Sequence, residues 1–117
     1  MDGLKFAKEI AELTKGKKGY NIKILDLRKV SAIADYFVVC SADSDRQVKA
    51  IADDVDEKLL DRGIKCYHRE GFETLNWVLM DYFDVVLHVF KVEARTYYNL
   101  EKLWGDAPVI SIPDEQQ

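Results

Sequence analysis

The chain is short of the residues that staple a fold or carry chemistry. It has two cysteines and two prolines in 117 residues. Two cysteines make no disulfide scaffold, and a chain of this length can bury a core without one. Cys40 and Cys66 both lie in apolar, strand-like runs and read as buried thiols of a reducing compartment. The six glycines form none of the patterned clusters that cradle phosphate. There is no Gly-Ser pair and no Asp-x-Asp on a strand-like run, so the carboxylate set of a polymerase-type nucleotidyltransferase is missing. An excess of positive charge is also missing. Lys plus Arg is 17 against 21 for Asp plus Glu, a net charge of -4. That balance argues against a nucleic-acid binder and favours a basic partner. No apolar run approaches membrane-spanning length. The opening MDGLKFAKEIAELTK lacks the uninterrupted apolar core of a signal peptide. The expectation is a cytoplasmic protein with no direct membrane contact and little direct contact with nucleic acid.

What remains is a globular composition, 48% apolar and 32% charged, which suits one domain. We assign it to residues 1–108, followed by a short polar tail, 109–117. Residues 2–15 carry a broad apolar helical face of Leu4, Phe6, Ala7, Ile10, Ala11 and Leu13. Two β-like runs follow, 22–27 and 36–40. The clearest helix comes next. Ser44 and Gln47 have capping-box spacing, and Val48, Ile51, Ala52, Val55 and Leu59 form one stripe that Gly63 ends. Three more β-like runs, 64–69, 76–82 and 84–90, precede a last helix over 92–104. The last two runs are almost contiguous and predict a tight antiparallel hairpin at Tyr82–Phe83–Asp84. The order α-β-β-α-β-β-β-α predicts a mixed α/β (α+β) fold, with one five-stranded mixed sheet flanked by helices.

Two kinds of chemistry can be weighed against structural roles. Cys40, Cys66, His68 and His88 could in principle make a zinc site, but only Cys66 and His68 are closely spaced. Ordinary strand positions are the better reading, so no metal and no cofactor is expected. Asp26 and Asp35 flank one loop, and Asp81 and Asp84 flank the hairpin turn. Turn and cap roles account for them. An interaction module fits better than an enzyme, and no catalytic residue is assigned.

The segment NWVLMDYFDVVLHVF, 76–90, sets the functional question. Strand side chains alternate between two faces. Trp77 and Leu79 therefore share one face with Asp81, while Val78, Met80 and Tyr82 share the other. Apart from Asp81 at the end, both rows are apolar. Either helices bury both faces, or one face stays open as a partner site anchored by aromatic residues. Periodicity alone leaves both readings open.

Three pieces, taken in order, resemble the ribosomal silencing factor family, also called Iojap-related. They are DLRKVSAIADYFVVCSADSDRQVKAIADDV, the Glu70–Gly71 pair leading into NWVLMDYFDVVLHVF, and ARTYYNLEKLWGDAP. The resemblance covers nearly the whole chain, to about Pro108. It implies a nucleotidyltransferase-like fold without the active site. It also implies binding to the large ribosomal subunit through the subunit's fourteenth protein, on the face where the small subunit docks. Translation would then be repressed in starvation or stationary phase by obstructing subunit joining. Trp77 falls on the family's tryptophan, and Leu79, Met80 and Asp81 continue its strand. These four are the implied contacts, with His68, Arg69, Glu70 and His88 as rim residues. A homodimer is expected when the protein is free. The alternatives are a nucleotide-binding protein and a large-subunit assembly factor. Phe83 departs from the family pattern, since a glycine-like turn residue is expected there.

Overall fold

The computed structural model describes residues 3–114. Four α-helices and six strands follow one another along it: α1 (Gly3–Thr14), β1 (Tyr20–Asp26), β2 (Tyr36–Ala42), α2 (Asp45–Asp61), β3 (His68–Glu70), β4 (Trp77–Asp81), β5 (Val85–Lys91), α3 (Val92–Tyr98), α4 (Leu100–Leu103) and β6 (Val109–Ile112). All strands join one sheet in the order β3-β4-β5-β2-β1-β6. Only β2 and β5 pair in parallel; every other pairing is antiparallel. The mixed, helix-flanked sheet expected from the sequence is present, with six strands in place of five. The sixth comes from residues read above as polar tail. Val109 to Ile112 bond along the outer edge of β1, with Ile24 opposite Ile110.

The two central strands explain the order. Every residue of β2 is buried, and all of β5 is buried except Lys91. Strands this apolar on both faces belong in the middle of a covered sheet. They therefore neighbour each other, and the connection between them carries α2, β3 and β4. The short, polar β3 takes one edge.

One face of the sheet, here called inner, is covered by α1 and α2. Phe6 and Ile10 of α1 and Val48, Ile51, Val55 and Leu59 of α2 pack on Ile22, Ile24, Val38, Cys40, Val78, Met80, Val85 and Leu87. Ser44 caps α2 by accepting a hydrogen bond from the Gln47 amide at 3.1 Å. Gln47 in turn accepts from the Asp43 amide, and its Nε2 donates to the Lys17 and Lys18 carbonyls. The cap thus also anchors the loop that leaves α1. On the outer face Leu25, Leu27, Phe37, Val39, Val86 and Phe90 form a second, smaller core beneath Leu100 and Ala107.

The helix expected over 92–104 breaks in two. Asn99 adopts a left-handed conformation, φ 49°, and separates α3 from α4. Asn tolerates that conformation better than most residues. Buried Arg95 of α3 fixes the pair to the sheet: its guanidinium donates to Ser41 Oγ at 2.8 Å and to Glu101 at 2.9 Å.

An open aromatic face on the edge of the sheet

Strand register divides the expected contacts between two faces. Trp77 lies opposite Phe90, Leu79 opposite His88, and Asp81 opposite Val86. On the other side of β4, Glu70 lies opposite Leu79 and His68 opposite Asp81. Trp77, Leu79, Asp81, His68 and Glu70 therefore all project from the outer face. Helices α3 and α4 cover β5, β2 and β1 on that side and stop short of β3. Trp77, Leu79 and Asp81 are left half-buried, with His68 and Glu70 exposed beyond them.

Three of the expected contacts stand elsewhere. Met80 is 0% exposed and packs in the inner core. It follows Leu79 directly, so the pleat turns it the opposite way. Arg69 is turned to the inner side for the same reason. Its guanidinium lies 3.2 Å from Asp56 and 3.5 Å from Asp53 of α2, and over the Phe72 ring at 4.2 Å. His88 is on the outer face but is only 2% exposed, enclosed beneath Trp77. Met80 and His88 are enclosed, and Arg69 is exposed on the opposite side of the sheet.

Trp77 is held by stacking and by one hydrogen bond. Its ring stacks on Phe90, centroids 4.9 Å apart at 23°, and meets Tyr98 at 4.9 Å. Its indole Nε1–H donates to His88 Nδ1 at 3.0 Å. Burial pushes the His88 imidazole down to about 3, which keeps it neutral and able to accept. Tyr98 is 50% exposed and Tyr97 is 82% exposed, and the two rings meet edge to face at 5.0 Å. Both extend the aromatic surface from α3. The adjacent pair Tyr97–Tyr98 is visible in the sequence, but its position over Trp77 depends on how α3 returns across the sheet.

Three residues around β4 adopt left-handed conformations, Gly71, Leu75 and Phe83. Gly71, φ +89°, leads from β3 into the loop before β4, and a Cβ there would lie 2.0 Å from the Trp77 carbonyl oxygen. Only glycine permits this approach. At the far end the β4–β5 hairpin closes through the Tyr82 amide donating to the Val85 carbonyl at 2.9 Å. Phe83 there has φ 79°, the conformation expected of a glycine-like residue, and its amide donates to Asp81 Oδ1 at 2.7 Å.

The candidate chemistry does not assemble. No group of three or more His, Cys, Asp or Glu that could hold a metal occurs among the described residues. Burial raises the Cys40 thiol to about 12 and also raises that of Cys66, which is half-buried rather than fully enclosed. Both thiols therefore stay protonated. The Asp26 carboxylate pairs with Arg28 at 2.8 Å. No helix among the described residues is long and apolar enough to cross a membrane.

Fold and face together define a small mixed-sheet domain with one face covered by its two longest helices and one half-open aromatic face. Comparison with known proteins names the family. A family described as "Ribosomal silencing factor during starvation" matches residues 2–117. The chain is 47% identical to the ribosomal silencing factor of Bacillus subtilis over 96 residues, 82% of this chain and 81% of that one. It is 45% identical to that of Halalkalibacterium halodurans, with 82% of each chain covered. It is also 31% identical to the chloroplastic Iojap protein of Zea mays over 97% of this chain, although that match spans 50% of the longer relative. A solved structure from Chromobacterium violaceum superposes with a TM-score of 0.85 at 35% identity, covering 100% of this chain and 91% of that one. The chain belongs to the ribosomal silencing factor family, a regulatory family associated with the ribosome and with control of translation.

Proposed function

We propose that the outer face of β4 docks the protein on the large ribosomal subunit, through the subunit's fourteenth protein, and that the bound domain obstructs joining of the small subunit. The observation that carries this reading is the half-buried Trp77, stacked on Phe90 and touching Tyr98 on a face the protein's own helices leave open. Trp and Tyr are favoured anchors of protein interfaces. Glu70 and Asp81 line the same face in a chain of net charge -4. Ribosomal proteins are typically basic, so charge complementarity speeds encounter while the aromatic centre supplies affinity. Repression needs no catalysis, because a domain of this size obstructs a subunit interface by its bulk. It acts in the cytoplasm, in starvation or stationary phase, with little direct contact to RNA.

In the free protein the same face meets a second copy, as isologous dimers commonly do. Sedimentation at several protein concentrations tests the dimer. A sucrose-gradient assay against separated subunits tests the main reading. The expected outcome is co-migration with the large subunit alone and loss of joined ribosomes. Binding to the small subunit, or binding that leaves joining intact, contradicts it.

A further inference from the structure

We infer that His88 is a positioning residue for the docking face: its Nδ1 fixes the Trp77 indole in the orientation that a partner meets. The inference rests on the docking reading above and names the group that prepares its anchor.

The argument begins with what surrounds the imidazole. His88 is buried on the outer face among Phe37, whose ring centroid is 4.4 Å away, Phe90 and Trp77. Its register neighbours on that face are Val39 of β2 and Leu79 of β4. Every one of these side chains apart from the Trp77 N–H is apolar. Phenylalanine or leucine would suit the space better than a group with two ring nitrogens. His88 Nε2 has no hydrogen-bond partner, and a buried unpaired donor is costly. Nδ1 has one partner, the Trp77 indole. Its acceptance of that hydrogen places the imidazole's own proton on Nε2, which is the unpaired atom.

Satisfying the indole is not reason enough for this arrangement. Trp77 is half-buried, and an indole N–H turned outward would find water instead. What the imidazole supplies is orientation. Stacking on Phe90 fixes the plane of the indole but allows two orientations related by a half-turn about the Cβ–Cγ bond. The bond to Nδ1 selects the one that turns Nε1 toward His88. A side chain held in its binding geometry loses less freedom when a partner arrives, so affinity rises without a new contact.

The test compares His88→Phe, which keeps an aromatic ring and removes the acceptor, with His88→Asn, whose amide oxygen can take the place of Nδ1. Folding of each is checked by circular dichroism and thermal unfolding. The Trp77 indole N–H signal is then followed by NMR in the free protein, and binding to purified large subunits is measured beside Trp77→Glu. In folded His88→Phe the indole signal is expected to shift and its hydrogen exchange to rise. Affinity is expected to fall about tenfold, the scale of one lost hydrogen bond. His88→Asn should recover part of both. An unchanged indole signal in His88→Phe overturns the inference. So does a shifted signal with wild-type affinity, provided Trp77→Glu fails to bind. If Trp77→Glu binds normally, the docking reading itself falls and the positioning role falls with it, whatever the indole signal does.

Discussion

Both faces of β4 carry large apolar residues, Trp77 and Leu79 on one and Val78 and Met80 on the other, and they end differently. On the inner face Val78 and Met80 are fully enclosed beneath α1 and α2. On the outer face Trp77 and Leu79 stay half-buried, because α3 and α4 are short and cover only the middle of the sheet. The polarity of a strand does not decide whether its face is core or surface. The reach of the helices above it decides. Helix α2 spans 17 residues, whereas α3 spans seven and α4 four. The outer face therefore runs out of cover at the edge where Trp77 stands.

Substitutions on the two faces should separate stability from binding. Met80→Ala removes a fully enclosed side chain and should cost about 3 kcal/mol in urea denaturation. Leu79→Ala, one residue away, should cost less than about 1 kcal/mol and weaken binding to large subunits instead. Equal stability losses at the two positions would break the comparison.

Gly71→Ala should cost roughly 3 kcal/mol, since the new Cβ meets the Trp77 carbonyl at 2.0 Å in a left-handed turn. An unchanged denaturation midpoint would contradict the close approach that places β4.

Acid provides a smaller and more specific probe of the outer face. Burial lowers the His88 imidazole from 6.5 to about 3, so below roughly pH 6.5 the unfolded chain binds a proton that the folded one excludes. Stability then rises with pH through this window and is lost as pH falls. The His88 contribution to that loss is about 2 kcal/mol between about pH 7.5 and about pH 5. It should be absent from His88→Phe. The same pH dependence in both proteins would contradict the buried, neutral imidazole.

Much of the inner half of the molecule is legible in the sequence. The stripe from Val48 to Leu59 and the Ser44–Gln47 cap describe α2, and the near-contiguous runs around Phe83 describe the hairpin. The outer half depends on distant partners. Val109 to Ile112, three of them β-branched, carry strand propensity, but so short a run forms a strand only because the free edge of β1 accepts it. Parallel pairing of β2 with β5 likewise spans a helix and two strands. Within the candidate site, alternation alone separates Leu79 from Met80 and His68 from Arg69. The family resemblance groups all four and hides the division. Burial of His88 was not legible, because it depends on Trp77 folding down over it. The place of Tyr98 against Trp77 depends on how α3 returns across the sheet from the end of β5, which no local pattern shows.

The most direct test of the account is co-sedimentation of Trp77→Glu with purified large ribosomal subunits. The account predicts a variant with wild-type circular dichroism and thermal stability that stays at the top of the gradient and leaves subunit joining unimpeded. A well-folded Trp77→Glu protein that migrates with the large subunit as the wild type does would contradict it.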